Sequence, residues 1–155
     1  MVELDVEQFS LPIATYSTSY FLTARLAARH MIPNRSGVIM TVTATHAREG
    51  LPLVGGYGPA QAAKEALTRD LSAELAPHGI TVNAVAPGAT ATPRTVSDAA
   101  WERAWAEATP SGRVATVADV AAVALFLLSD AASHVTGQSL VVDGGWTSMG
   151  AVPGS

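Results

Sequence analysis

The sequence contains no cysteine among its 155 residues, which excludes disulfide bonds, thiolate metal sites and a cysteine nucleophile. Nine basic residues against 13 acidic ones give a net charge of −4, so no basic stripe is available for nucleic acid. No apolar run reaches the about 18 residues that a membrane-spanning helix needs, and residues 1–10 do not resemble a signal peptide. No two histidines have the spacing of metal ligands. These absences predict a cytoplasmic protein that binds neither nucleic acid, membrane nor metal.

Helix-like and strand-like patterns alternate along the chain, in which 48% of the residues are hydrophobic. Helices are predicted where apolar residues recur at helical spacing, and strands where short apolar stretches carry no charge. Pro59 fits the first turn of a helix, and Thr116 with Asp119 forms the signature of a capping box. The predicted elements are, in order, helix 7–31, strand 38–44, helix 58–76, strand 80–85, a loop with a short helix over 93–108, helix 117–128 and strand 139–142.

Four segments of the chain carry a family resemblance. In order, they read GVIMTVTA (37–44), GGYGPAQAA (55–63), GITVNAVAPG (79–88) and VTGQSLVVDGG (135–145). These segments resemble motifs of the short-chain dehydrogenase/reductase family. The resemblance covers only the C-terminal part of that fold, because the family's glycine-rich cofactor turn and its Asn-Asn-Ala-Gly segment have no counterpart here. It implies that residues 1–155 form one truncated domain that lacks the N-terminal dinucleotide-binding half.

The predicted fold class is α/β, with an incomplete Rossmann-like parallel sheet of about three strands flanked by helices. Each predicted strand reaches the next through a helix, as parallel strands require. In the family's complete sheet, the strand over 38–44 is an interior strand, and here it has lost one neighbour. Its apolar edge carries no proline, lysine or bulge that would oppose pairing. We therefore predict that a second copy, a partner chain or the N-terminal helix covers this edge.

Tyr57 matches the tyrosine that moves a proton at the substrate oxygen in the family. Two of its family partners are replaced. Ala44 stands where the family has a serine that polarises the carbonyl group, and Gln61 stands where it has a lysine on the same helical face. Without that ammonium group, the pKa of Tyr57 is expected to stay near its ordinary value of about 10. The phenol can still donate a hydrogen bond, and the alternative is a tyrosine that merely fills the old pocket.

Thr45 and His46 are further catalytic candidates because they follow the strand over 38–44. Alternation along a strand points Thr45 away from the face of Ala44, but a local twist would bring its hydroxyl in. His46 lies at the carboxyl end of the sheet, where ligands bind in open α/β folds, and its ordinary pKa suits acid–base chemistry. The alternatives are a polar strand end for Thr45 and a surface-loop histidine for His46.

Two other side chains have less specific roles. Tyr16 falls, by resemblance, where the family has an asparagine that anchors a proton-relay water, and a plain core aromatic is the alternative. Lys64 lies two turns after Tyr57 on nearly the same helical face. It is either a displaced catalytic lysine or a lysine at a helix–helix interface.

The segment after the strand over 80–85 resembles the one beside the nicotinamide ring in the family. The resemblance implies relic cofactor-binding positions at Pro87, Gly88 and Thr92, the last matching the threonine that binds the carboxamide. A proline–glycine pair is also an ordinary strand-ending turn.

Aromatic residues follow in the stretch that matches the family's variable substrate loop. Trp101 and Trp105 are four residues apart and share one helical face. Together with Trp146 and Met149 they line an apolar pocket or, alternatively, cap the core or an interface.

Hydride transfer needs a nicotinamide, and a chain without a phosphate-binding glycine turn has no cradle for it. No cofactor is therefore expected. NAD or NADP is expected to bind only if the missing half is supplied. Three functions remain open. The first is cofactor-independent binding of a small apolar or carbonyl-containing molecule, with proton transfer by Tyr57 as in an isomerase, dehydratase or cyclase. The second is a non-catalytic subunit that forms a homo-oligomer or joins a homologous chain. The third is a fragment or decayed copy of an oxidoreductase.

Overall fold

A parallel sheet of three strands forms the centre of the structure, which is a computed structural model that describes residues 2–52, 54–95 and 98–149. The strands are β1 (Gly37–Val42), β2 (Ile80–Pro87) and β3 (Ser139–Val142), and β2 lies in the middle. Val42 lies opposite Val85, and Val85 lies opposite Leu140. The prediction of an α/β fold with a three-stranded parallel sheet flanked by helices is confirmed.

The helices are α1 (Val6–Pro12), α2 (Ser19–Met31), α3 (Tyr57–Leu75), α4 (Ala99–Ala108) and α5 (Val117–Leu127). Thr116 accepts a hydrogen bond from the backbone N–H of Asp119, and Asp119 accepts one from the backbone N–H of Thr116, so the predicted capping box is confirmed. A hydrogen-bonded cap of this kind stabilises the start of a helix.

The predicted single helix over 7–31 is interrupted by a π-helical turn over Ile13–Thr18. Pro12 precedes this turn, and it lacks the backbone N–H that a regular α-helix uses at that position. Inside the turn, the Ser17 hydroxyl donates a hydrogen bond to the carbonyl oxygen of Ala60 on α3, at 3.0 Å. The helical spacing of apolar residues showed neither effect, so the continuous helix predicted there was wrong in its middle.

Helices cover both faces of the sheet. On one face, α2 and α3 bury a cluster that contains Tyr20, Ile39 and Val82. The Tyr20 hydroxyl and the Thr68 hydroxyl of α3 are 3.2 Å apart within this layer. On the other face, α5 packs Leu127 against Val85. Because neighbouring residues of a strand point to opposite faces, β1 and β2 each contribute to both layers.

The outer edge of β1 pairs with no strand in the described part of the chain. The backbone N–H of Thr43 donates to the carbonyl oxygen of Val85 at 2.7 Å. In a trans peptide unit the N–H and C=O groups point in opposite directions, so the carbonyl of Val42 points away from β2. The ammonium group of Lys64 donates a hydrogen bond to that carbonyl. Lys64 is the only lysine in the sequence, and it is 8% exposed.

This contact explains Lys64 in a way that neither sequence interpretation anticipated. The strand itself contains no lysine that would protect its edge, whereas α3 places one beside it. Burial lowers the pKa of Lys64 below its ordinary value. The bond occupies one carbonyl, and Val42 itself stays 48% exposed. That a second copy, a partner chain or the N-terminal helix covers the rest of the edge stays a prediction.

The helices within residues 2–52, 54–95 and 98–149 include none that is long and apolar enough to cross a bilayer.

We expect the substitution Lys64→Met to lower the free energy of unfolding by about 1–3 kcal/mol, because the Val42 carbonyl then loses its donor. Arg69→Met, at an exposed position of the same helix, is the matched control and should change stability by less than about 0.5 kcal/mol. Urea denaturation followed by circular dichroism measures both values. Equal stability of the two variants would show that the Lys64 contact does not stabilise the edge.

Candidate functional site

A cavity of about 640 Å³ opens at the carboxyl ends of β1 and β2. Ligands bind at this edge of open parallel sheets, since the loops that follow the strands gather there. The segment after β1, the start of α3, the segment after β2, α4 and α5 all contribute to its walls. The volume lies within the range of about 300–1,000 Å³ that is usual for small-molecule sites.

Tyr57 is the first residue of α3, and it lines this cavity. Glycines on either side allow its backbone to approach two other segments closely. A Cβ atom at Gly56 would lie 2.3 Å from the carbonyl oxygen of Phe9, and one at Gly58 would lie 2.9 Å from the carbonyl oxygen of His46. Both distances are shorter than van der Waals contact, so only glycine fits. The start of α3 is therefore held against α1 and against the segment that carries His46.

Two aromatic rings flank the ring of Tyr57. The ring centroids of Tyr16 and Tyr57 are 5.5 Å apart, and those of His46 and Tyr57 are 5.4 Å apart, both in edge-to-face arrangements. Tyr16 extends from the π-helical turn and is 42% exposed. The interpretation of Tyr16 as a plain core aromatic was therefore wrong, because the π-helical turn places it beside the cavity edge instead of in the core.

The surroundings of this cluster keep both of its candidate acid–base groups neutral. Burial raises the pKa of Tyr57 above 10.0, and Tyr16 raises it further, while the charge of Arg94 lowers it. The expectation of a pKa near the ordinary value was therefore wrong, because desolvation acts on the phenol. Burial lowers the pKa of His46 below 6.5, and its Nδ1 is buried without a hydrogen-bond partner in the described part of the chain. At neutral pH, Tyr57 is a proton donor and His46 is an uncharged base.

Thr45 joins the same cavity because β1 ends earlier than the sequence pattern suggested. The last residue of β1 is Val42, and a 3₁₀ turn over Thr45–Ala47 follows Ala44. Strand alternation does not apply to this turn, so Thr45 and His46 both line the cavity. No hydrogen bond within residues 2–52, 54–95 and 98–149 uses the Thr45 hydroxyl. A 3₁₀ turn stands where a local twist was considered for Thr45, and the catalytic role of its hydroxyl stays a prediction.

Gln61 is buried at 3% exposure and does not line the cavity. Its Oε1 atom has no hydrogen-bond partner among the described residues. A buried amide oxygen without a donor costs stability, so this position is not optimised for packing. Gln61 also carries no charge, so it does not oppose the effect of burial on the pKa of Tyr57.

The three relic cofactor positions also line the cavity. Pro87 ends β2, and the backbone N–H of Gly88 donates to the carbonyl oxygen of Val142 at 3.0 Å. The backbone N–H of Thr92 donates to the Thr95 hydroxyl at 2.8 Å, and the hydroxyl oxygens of these two threonines are 3.2 Å apart. Thr92 is thus part of a threonine turn, and whether it binds a carboxamide stays a prediction.

Tryptophans of α4 form an apolar wall. Trp101 and Trp105 line the cavity, with ring centroids 6.4 Å apart. Trp146 packs on Trp105 at 5.4 Å outside the lining, and Met149 is 62% exposed. The predicted apolar pocket therefore uses two of the four residues. Val96 and Ser97, which fall inside the predicted loop over 93–108, lie outside the described residues.

Arg94 and the face of α5 that reaches the cavity were not predicted from the sequence. Arg94 is the only charged side chain among the described residues of the lining, and Val120, Ala121 and Ala124 supply part of an apolar wall. Arg94 could have been predicted as a lining residue, because it lies only two residues after Thr92. The α5 residues gave none, because almost the whole of that helix is apolar.

The comparisons with known proteins decide the family. Residues 1–147 match the family model described as enoyl-(acyl carrier protein) reductase. The chain belongs to the short-chain dehydrogenase/reductase family. It is 38% identical over 148 residues to a 3-oxoacyl-[acyl-carrier-protein] reductase of Chlamydia pneumoniae, a match that covers 95% of this chain and 60% of the relative. The resemblance predicted from the sequence is confirmed.

Other members of the short-chain dehydrogenase/reductase family match over the same extent. The chain is 40% identical over 148 residues to cis-4-hydroxycyclohexanecarboxylate dehydrogenase of Sinomonas cyclohexanicum, which covers 95% of this chain and 59% of the relative. A gluconate 5-dehydrogenase structure from Burkholderia cenocepacia J2315, in complex with NADP and tartrate, aligns with a TM-score of 0.89 at 31% identity. That alignment covers 96% of this chain and 60% of the other. The chain thus spans about 60% of the length of the relatives it matches.

The family implies a nicotinamide cofactor, and the residues described here do not fit a dinucleotide by themselves. No glycine-rich turn in the described ranges joins the end of a strand directly to an α-helix, which is the usual cradle of a pyrophosphate. The glycines around Tyr57 are required by contacts with Phe9 and His46, as given above. Gly88 is required because a Cβ there would lie 2.6 Å from the Cβ of Asp143. Nor do three acidic or histidine side chains gather into a metal site in this part of the chain.

We expect the free energy of unfolding to decline as the pH falls below 6.5. Because the pKa of His46 is lowered in the folded state, the unfolded chain takes up its proton first, and protonation then favours unfolding until the pH passes the folded pKa. Above pH 6.5 the imidazole is neutral in both states, and its contribution to the slope vanishes.

Urea denaturation at about pH 7.5 and about pH 5.5 measures this dependence. The variant His46→Gln should lose less stability between the two pH values than the unmodified chain. His30→Gln, at an exposed position of α2, is the matched control. The same loss in all three proteins would contradict a desolvated His46.

Proposed function

We propose that this chain binds a small apolar, carbonyl-containing molecule in the cavity and transfers a proton instead of a hydride. The observation that carries the proposal is the pair formed by His46 and Tyr57, whose rings lie 5.4 Å apart at one cavity. The raised pKa of Tyr57 and the lowered pKa of His46 leave an acid and a base that are both neutral at physiological pH. Such a pair suits acid–base catalysis.

The chemistry follows from the two groups. The Tyr57 hydroxyl donates a hydrogen bond to the carbonyl oxygen of the ligand, and the Thr45 hydroxyl adds a second polar contact. The neutral imidazole of His46 removes a proton from the carbon next to that carbonyl. The C–H electron pair becomes a C=C bond while the carbonyl π pair moves to oxygen, which Tyr57 stabilises. Where a C=C bond is conjugated to this enolate, return of the proton to the far carbon of that bond re-forms the carbonyl and gives isomerisation. Where the β carbon carries a leaving group, its departure with the electron pair gives elimination, so no external oxidant or reductant is needed.

The substitutions in the site favour this reaction over hydride transfer. Ala44 offers a methyl group where the family has a serine hydroxyl, and Gln61 is buried away from the cavity lining. The residues present also lack a cradle for the pyrophosphate. The ligand class fits the cavity walls, because Trp101, Trp105 and α5 are apolar.

A second candidate function is that of an oxidoreductase whose dinucleotide-binding half is supplied by another polypeptide segment. The relatives are named reductases and dehydrogenases, and one of the matching structures holds NADP. The chain covers only about 60% of their length, and the outer edge of β1 pairs with no described strand. A homologous chain, or a second copy of this one, is the partner that we propose for that edge.

The proton-transfer proposal is tested by solvent-deuterium exchange into benzyl methyl ketone, followed by nuclear magnetic resonance. We expect the chain to accelerate exchange next to the carbonyl and Tyr57→Phe to lower the enzymatic rate by about 10²–10³-fold, because the developing oxyanion loses its donor. His46→Asn should lower it by about 10²–10⁴-fold. His30→Asn is the matched control and should leave the rate unchanged. Undiminished exchange in both site variants would remove Tyr57 and His46 from the mechanism.

The redox alternative is tested by titrating the chain alone with NADH and NADPH and following tryptophan fluorescence. We expect no saturable quenching below about 1 mM, since no backbone cradle binds the phosphates. Thr92→Val is a suitable companion variant, because it removes a hydroxyl at the position that matches the carboxamide contact. Saturable binding that weakens in this variant would support the oxidoreductase and contradict the non-redox proposal.

A further inference from the structure

The charges around the cavity are strongly one-sided. Among the lining residues that the structure describes, Arg94 alone carries a formal charge, and no aspartate or glutamate contributes to the walls. His46 is neutral at physiological pH because burial lowers its pKa. Within the described walls, a ligand therefore meets one fixed positive charge and no negative one. An anion is favoured and a cation is disfavoured at such a site.

The side chain of Arg94 makes no ion pair or hydrogen bond within the described part of the chain. Arg48 pairs with Glu65 at 3.3 Å, and Arg113 pairs with Asp119 at 2.7 Å. No such ion pair, and no hydrogen bond among residues 2–52, 54–95 and 98–149, involves the guanidinium of Arg94. Its charge nevertheless acts on Tyr57 across the cavity. Arg94 is exposed and lines the cavity, and no described group uses the donors of its planar guanidinium.

The hydroxyl groups next to Arg94 do not compete for an anion. The Thr95 hydroxyl donates to the backbone carbonyl oxygens of Thr90 and Thr92, at 3.2 Å each. The Thr90 hydroxyl donates to the carbonyl oxygen of Gly88 at 3.0 Å. These bonds fix the backbone that carries Arg94 and use the threonine protons internally. Arg94 is therefore the group of this segment that can bind an acid.

We propose that the natural ligand is a small organic acid, with its carboxylate on Arg94, its apolar body against Trp101 and Trp105, and its carbonyl oxygen at Tyr57. This inference rests on the proposed function and adds a substrate class to it. A carboxylate matches the planar fork of one guanidinium through two parallel hydrogen bonds. A phosphate group calls for more donors, and the start of α4, the helix that follows Arg94 in the chain, is already capped by Asp98, which accepts from the backbone N–H of Trp101 at 2.9 Å.

The test compares two ligands that differ only in the acid group. Phenylpyruvate and benzyl methyl ketone share an aromatic ring, a methylene group and a carbonyl, and the ketone has a methyl group in place of the carboxylate. Isothermal titration calorimetry measures the dissociation constant of each for the unmodified chain and for Arg94→Gln, Arg94→Lys and Arg103→Gln. Arg103 is exposed on α4 and does not line the cavity, so its variant makes the same charge change elsewhere.

We expect the unmodified chain and Arg103→Gln to bind the acid about 10- to 100-fold more tightly than the ketone, as a charged hydrogen-bonded pair provides. Arg94→Gln should bind both ligands with the affinity of the ketone, and Arg94→Lys should keep part of the preference. Equal affinities in the unmodified chain, or an undiminished preference in Arg94→Gln, would overturn the assignment of a carboxylate. Either result would contradict only the carboxylate. The proposed function is still supported if the ketone binds and Tyr57→Phe weakens the binding of the ketone. Failure of both ligands to bind would overturn the proposed function together with this inference.

Discussion

The pairing of β1 with β2 is the constraint on which the rest of the structure depends. Their register places Val42 opposite Val85, so the two strands end at nearly the same level of the sheet. The segment with Thr45 and His46 and the segment with Thr92 therefore leave the same edge side by side. Helix α3, which connects the strands, has to begin at that edge, and its first residue is Tyr57. The cavity is thus a geometric result of one parallel pairing and one crossover helix.

Much of the architecture could be predicted from the sequence because local patterns and packing agree. The strands are apolar and uncharged, and the start of α5 is capped by two residues that lie within its first turn. The errors arose where a distant group decides the conformation. The bond from Ser17 to Ala60, together with Pro12, produces a π-helical turn that no local pattern reports. That turn is also the reason why Tyr16 lies beside Tyr57.

The candidate site could be predicted in composition but not in its electrostatics. Tyr57, His46 and Thr45 were expected at the carboxyl edge of the sheet, and all of them line the cavity. Their protonation depends on how far each side chain is removed from water, which a sequence does not specify. The family's lysine would favour the ionised phenol, whereas the cluster of rings here favours the neutral one. This site differs from the family pattern because the charge of that lysine is absent and the phenol of Tyr57 is desolvated instead.

The contact of Lys64 with Val42 has a consequence for covalent modification of the protein. The sequence holds one lysine, and the fold buries it against a backbone carbonyl. In the native state, the only ε-amine is therefore shielded from acylating reagents and from enzymes that modify lysine. Acylation of an amine requires access from solvent, so we expect Lys64 to react when α3 separates from β1. The acylation rate of Lys64 would consequently report how often the edge of β1 opens.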